Sequence, residues 1–297
     1  MRAEQLIRIL VTTTLIEMMV ATGMGVKLED VGQIGRNLPL LLRAALANYV
    51  CVPLVTVGLL VWFNPPVLVS AGFLVVAVRP GAAYGPPFTA MAKGNVAAAV
   101  GLMVILAGSS AFCTPLLLHA LLPLMAANQG PQVDLLGMVV MLLLTQLLPL
   151  FGGLAMRHSL PALALRLKRP ADMLSAALNL CVLGLIVVVR FQMLAATQLR
   201  AFIGMSALVT ASIAAGWLLG QTGIENRKAM IFSTSVRNVA VALEIATTNF
   251  PGTPAVTAVL VYGLFQTVLL AAVALVWGSL AAAASSAATE TVHVRNA

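Results

Sequence analysis

Charged residues are scarce in this sequence: they occupy 9% of its 297 positions, whereas soluble globular domains carry about 25%. Hydrophobic residues make up 61% of the chain, so too few polar side chains are available to cover a water-facing surface. Aromatic residues account for only 5%. This composition excludes a soluble domain and is typical of closely packed helices in a lipid bilayer.

Motifs for catalysis and metal binding are also missing. The three cysteines lie inside apolar runs, without a CxxC partner or a nearby histidine at metal-ligand spacing. The sequence contains no HExxH, no GxSxG and no phosphate-binding loop. We therefore expect no enzyme activity, no metal site and no cofactor. The net charge of +8 comes mostly from residues scattered in short connections, which indicates membrane topology rather than a nucleic-acid partner.

Nine apolar segments are long enough to cross a bilayer, which takes about 20 residues each. They run approximately over 5–26, 38–62, 66–92, 94–125, 135–156, 171–193, 198–220, 226–249 and 254–284. Short polar or Pro/Gly-rich connections separate them, among them Lys27–Asn37, Asn128–Pro131 and Arg157–Pro170. The sequence thus predicts an all-α polytopic membrane protein with one transmembrane domain over 1–284 and a disordered tail over 285–297.

Basic residues alternate between the two sides of the predicted membrane. Connections after the odd-numbered spans hold most of them: Lys27, Arg36, Lys93, Arg157, Arg166, Lys168, Arg169, Arg227, Lys228 and Arg295. The opposite side holds only Arg2, Arg190 and Arg200. Because cytoplasmic connections are enriched in Lys and Arg, we expect the N-terminus outside and the C-terminus in the cytoplasm, in the cell's inner (plasma) membrane.

Two of the spans are interrupted. The third is broken by Pro80, Gly81, Gly85, Pro86 and Pro87, a set that cannot form a continuous helix. The eighth carries a polar stretch that includes Ser233, Thr234 and Ser235. Interrupted helices at corresponding positions of two halves indicate a transporter binding site near the bilayer midplane. A proline kink in one helix and a polar packing patch in the other are the alternative explanation.

Several short motifs surround these breaks. Pro80-Gly81-Ala82 is followed by Met91-Ala92-Lys93-Gly94-Asn95, and Gly23-Met24-Gly25 ends the first span. Over roughly residues 15–278 the chain resembles the bile acid:sodium symporter family. The resemblance implies two inverted repeats, at about 5–125 and 135–284, each with one broken crossing helix. It also implies a core of spans two to four and seven to nine, and a panel of spans one, five and six, which move against each other.

The chain departs from that family at its sodium ligands. The resemblance places Ser233 where the family has a glutamate, Arg237 where it has a glutamine, and Gly85-Pro86 where it has Ser-Asn. A fixed guanidinium about 4 Å from a sodium ion repels it by about 4 kcal/mol at an effective dielectric of about 20. We therefore expect neither sodium site in the family's form.

Arg79 and Arg237 are the leading candidates for substrate binding, because each lies mid-span beside a predicted break. Three interpretations are open for each arginine. Its guanidinium holds an anionic group of the substrate, or replaces the charge of sodium structurally and keeps the crossing region together, or is neutralised by Glu17, Glu244 or carbonyls of the broken helices. Further polar candidates either line a cavity or connect helices by hydrogen bonds; they are Asn48, Thr89 and Asn238.

Glu17 and Glu244 are the acidic residues that lie well inside predicted spans. Buried carboxylates of this kind either take part in proton coupling or serve as static ion-pair partners. Taken together, the sequence predicts a secondary transporter of a small organic anion, with the solute and the lipid bilayer as its partners. A sodium symporter with relocated ion ligands and a non-transporting membrane sensor are the alternatives.

Overall fold

The computed structural model consists of helices and short connections, without strands, over the residues that it describes, which are 3–125, 134–195 and 199–295. Eight helices of this part of the chain are long and apolar enough to cross a membrane. The remaining predicted span, the third, contains the shorter apolar helix Val67–Ala77. The predicted polytopic all-α membrane fold is therefore confirmed.

The helices follow the predicted spans in order. In the first half they are α1 (Ala3–Gly25), α2 (Leu28–Gly35), α3 (Leu38–Ala45), α4 (Val52–Phe63), α5 (Val67–Ala77), α6 (Gly85–Met91) and α7 (Val96–Met125). In the second half they are α8 (Leu135–Leu142), α9 (Leu148–Ser159), α10 (Pro161–Ala195), α11 (Leu199–Leu219), α12 (Ile224–Ser235), α13 (Val239–Asn249) and α14 (Pro254–Arg295). Single π-helical segments join α3 to α4 (Leu46–Cys51) and α8 to α9 (Leu143–Leu147).

Each π-helical segment precedes a proline, Pro53 or Pro149, in the first turn of the next helix. A proline inside a helix lacks the N–H that would reach the carbonyl four residues earlier, and its ring crowds that carbonyl. The wider π-turn relieves this conflict. The second and fifth spans therefore continue across a proline.

The third and eighth spans are broken, as predicted. The first break (78–84) separates α5 from α6, and the second break (236–238) separates α12 from α13. The residues expected inside the breaks only partly lie there. Gly85, Pro86 and Pro87 form the first turn of α6, where proline is tolerated because its missing N–H has no intrahelical partner. Ser233, Thr234 and Ser235 form the last turn of α12.

The helices pack in the two predicted groups. Helices α1, α9 and α10 pack on one another, which matches the panel of spans one, five and six. Around the breaks, α5 packs on α14, α12 on α6, α7 and α11, and α13 on α14. The panel meets this core mainly where α1 lies against α13 and where α7 lies against α8 and the π-helical segment Leu143–Leu147, with a smaller contact of α10 on α14. The inverted symmetry of the two repeats remains a prediction.

Connections predicted on the same side of the membrane lie at the same end of the molecule. Asn95 donates its backbone N–H to the carbonyl of Glu225 (3.0 Å), and Lys228 Nζ donates to the carbonyl of Ala92 (2.6 Å). At the opposite end, Arg190 Nη1 donates to the carbonyl of Gly252 (2.9 Å). Which of the two ends faces the cytoplasm remains a prediction.

Some predicted connections are helical. Helix α2 lies within Lys27–Asn37, and Arg157–Pro170 is mostly helix because α9 ends at Ser159 and α10 begins at Pro161. We expected a disordered tail from residue 285, and α14 is described as far as Arg295, so the disorder of the tail stays a prediction. Asn128–Pro131 lies outside the described residues.

Candidate functional site

The two breaks cross each other in the interior of the core. Asn238 connects them twice: its backbone N–H donates to the carbonyl of Arg79 (2.8 Å) and its Nδ2 donates to the carbonyl of Gly81 (3.2 Å). Its Oδ1 accepts the N–H of Val241 (3.3 Å) and so caps the start of α13. Asn238 thus holds the two breaks together and begins a new helix at their junction.

Gly81 allows the first break to lie directly against α7. Its φ is +80°, a left-handed conformation that residues with a Cβ rarely adopt. A Cβ built at this position would lie 2.4 Å from the backbone nitrogen of Ala107 in α7. The position therefore needs glycine both for its backbone angle and for the closeness of the neighbouring helix.

Arg237 lies in the second break, with only 1% of its surface exposed. Its Nη1 donates to the carbonyl of Ala77 at the end of α5 (3.1 Å), and its Nη2 donates to the carbonyl of Thr234 in the last turn of α12. Its backbone is held by Gln266 of α14, which accepts from the N–H (3.1 Å) and donates to the carbonyl (2.9 Å). The guanidinium therefore bridges the C-terminal ends of two half-helices.

Arg79 lies in the first break and is fully buried. Its Nη1 donates to the carbonyl of Ser110 and to Thr114 Oγ1, both in α7 at 3.2 Å. Its Nη2 donates to Gln146 Oε1 in the π-helical segment of the fifth span. Gln146 in turn donates to the carbonyl of Ala107 (2.7 Å). Arg79 therefore joins the break to α7 and to the predicted panel.

A cavity of about 280 Å³ lies between the crossing and the panel. Arg237 and Asn238 line it from the second break, and Val239 and Ala240 line it from the N-terminal turn of α13. The panel contributes three residues, Met18, Asn179 and Leu183. Among the described residues that line this cavity, Arg237 is the only charged one, and most of the others are apolar.

Three of the predicted binding residues lie away from this cavity. Arg79 is behind the first break, Thr89 donates to the carbonyl of Gly85 (2.9 Å) within α6, and Asn48 donates to the carbonyl of Ala44 (2.9 Å) within the second span. All three are fully buried, and none lines the cavity. The structure therefore brings only Arg237 and Asn238 of the predicted set to the cavity wall.

Neither buried arginine forms an ion pair with an acidic side chain in the part of the chain that the structure describes. Both oxygens of Glu244 on α13 accept from Thr12 Oγ1 of α1, at 2.8 and 2.9 Å. Glu17 accepts from Ser175 Oγ (2.5 Å) between two panel helices. Of the two proposed ways to neutralise Arg237, the contacts therefore favour the carbonyls of the broken helices.

Sequence reasoning did not find Gln146 and Gln266, the glutamines that hold the two arginines. Both are buried polar residues inside apolar spans, and that signal is enough to mark them, because such residues pair with other polar groups. No group of three or more His, Cys, Asp and Glu side chains suited to a metal ion occurs within 3–125, 134–195 and 199–295.

The profile of the sodium bile acid symporter family matches residues 12–197, more than half of the chain. The matched region includes the first break, and the second break lies beyond it. No curated protein matches the chain.

Proposed function

Because the chain belongs to the sodium bile acid symporter family, whose members are transporters, we propose that it is a secondary active carrier of a small organic anion. The observation that carries this proposal is the cavity between the crossing and the panel, which Arg237 and Asn238 line. Cavities between mobile bodies, beside broken helices, are where such carriers bind their solute. A volume of about 280 Å³ suits a small molecule.

The charges around the cavity favour an anion. Arg237 is buried and positive, and a guanidinium has five N–H donors, of which its two bonds to carbonyls use only part. The N-terminal turn of α13 also lines the cavity at Val239 and Ala240, and the positive end of a helix dipole attracts negative charge. Apolar neighbours such as Leu183 and Leu243 suit an anion that has an apolar body.

We propose that alternating access takes place at the boundary between panel and core. Thr12 of α1 contacts Glu244 of α13, and Arg190 of α10 contacts the carbonyl of Gly252 beside α14. These polar contacts cross the boundary toward one end of the molecule, and the cavity lies beyond them. In our proposal, these contacts close that end, and they break when the core moves and opens the cavity toward it.

Sodium coupling in the family's form is not part of this proposal. Arg237 stands where the resemblance places a sodium ligand, and Ser233 replaces an acid. Glu17 and Glu244 remain candidates for proton coupling, since each accepts hydrogen bonds from a hydroxyl rather than from a cation.

A thermal-shift screen of organic anions on the purified protein, with and without sodium, tests the substrate class. Arg237→Gln is expected to weaken binding of a hit by roughly tenfold to a hundredfold, because a charge-assisted hydrogen bond is lost. The matched control is Arg36→Gln, since Arg36 is exposed and does not line the cavity. Unchanged affinity in Arg237→Gln contradicts anion contact, and binding without solute counterflow in vesicles identifies a sensor instead.

A further inference from the structure

Arg237 occupies a place that is built for a cation. Its two terminal nitrogens each reach the carbonyl end of a different half-helix, Ala77 of α5 and Thr234 of α12. The last four carbonyls of a helix have no intrahelical partner, and together they carry about half a negative charge. Two such ends converge on one guanidinium that is 1% exposed.

In transporters with broken helices, unwound carbonyls and half-helix C-terminal ends coordinate the transported cation. We propose that the Arg237 guanidinium is a tethered cation that permanently fills this position, so that the crossing stays assembled and the carrier needs no inorganic cation. This inference rests on the proposed function for its transport consequence, but its structural part does not require a known substrate.

The backbone around Arg237 keeps the guanidinium in place. Gln266 binds both the N–H and the carbonyl of Arg237, and the next residue, Asn238, binds the first break. The side chain therefore starts from a position fixed on both sides. Because a guanidinium is planar and forked, it reaches two carbonyls at once, whereas an ammonium is a single compact charge.

Arg79 differs in each of these respects. Its partners are one carbonyl and one hydroxyl of the continuous helix α7 and the side chain of Gln146, and none is a helix end. It connects neighbouring elements but does not neutralise converging helix C-termini. The tethered cation is thus assigned to Arg237 alone.

The test compares two variants at the same position in the purified full chain. Arg237→Ala removes the charge and leaves space, and Arg237→Met removes the charge but fills the space. We expect both to lower the thermal midpoint by roughly 5–15 °C, because the converging carbonyls lose their partner. Millimolar guanidinium should restore most of the loss in Arg237→Ala and little in Arg237→Met, with choline as the control for ionic strength. The wild type should respond to neither guanidinium nor sodium.

An Arg237→Ala protein as stable as the wild type overturns the inference, and so does an equal response of both variants to guanidinium. Arg237→Lys provides a second measurement if the alanine variant does not fold. It keeps the charge, so its midpoint should not rise in sodium, and a sodium-specific rise contradicts the proposal. These thermal midpoints need no substrate, so a failure of the tethered-cation inference can be told apart from a failure of the carrier assignment. Solute exchange by the wild-type protein that requires sodium contradicts the inference but still supports the assignment as a carrier.

Discussion

Replacing Gly81 with alanine should damage the crossing more than almost any other single methyl group. The φ of +80° costs an alanine about 1–2 kcal/mol. The added Cβ also meets the backbone nitrogen of Ala107 at 2.4 Å, and such overpacking costs about 1–3 kcal/mol. The first break cannot move away from α7 without weakening the hydrogen bond from Asn238 to the carbonyl of Gly81. The expected loss of stability is therefore about 2–5 kcal/mol.

The assay is the thermal midpoint of the detergent-purified protein, followed as the fraction that stays monodisperse after heating. Gly81→Ala should lower the midpoint by roughly 5–15 °C. The matched control is Gly152→Ala, because a Cβ at Gly152 has no atom within 4 Å and alanine favours a helix. If Gly81→Ala melts at the same temperature as Gly152→Ala, the described contact between the first break and α7 is wrong.

Three further predictions follow from individual contacts. Gly153→Ala should destabilise the panel by about 1–3 kcal/mol, because a Cβ at Gly153 would lie 2.2 Å from a carbonyl of α1. The measurement is the thermal midpoint compared with that of Gly152→Ala, and equal midpoints for the two variants refute the prediction. Asn238→Ala should lower stability by about 1–3 kcal/mol in the same assay, through loss of the α13 cap and the bond to the first break, and no loss argues against both contacts. A cysteine at the exposed position Asn64 should react with a membrane-impermeant reagent added outside, and a cysteine at the exposed position Lys93 only with reagent added inside. Labelling of both cysteines from the same side refutes the predicted topology.

The breaks were predictable because their cause is local. Pro80 and Gly81 disrupt a helix wherever they occur in this order, and the polar run of the eighth span leads directly into the second break. The exact limits were not, since Gly85 and the following prolines serve equally well as the first turn of α6. The conformation of the preceding residues, 78–84, decides whether Gly85, Pro86 and Pro87 belong to the break or begin α6.

The partners of the arginines could not be read from the sequence. The carbonyl of Ala77 lies 160 positions from Arg237, and Gln146 lies 67 positions from Arg79. Such contacts depend on how the two halves of the chain pack, which periodicity and composition do not encode. The sequence left substrate contact and neutralisation by carbonyls among the alternatives for both residues. In the structure, Arg237 lines the cavity and contacts helix-end carbonyls, whereas Arg79 contacts α7 and Gln146.

The central claim is that this chain is a carrier that works without sodium, and solute counterflow tests it most directly. Proteoliposomes loaded with an unlabelled anion identified by thermal shift are diluted into sodium-free choline buffer that contains the labelled anion. Our account predicts transient accumulation of label inside, at the same rate when sodium replaces choline. Accumulation only in sodium, or none in either buffer, would contradict it.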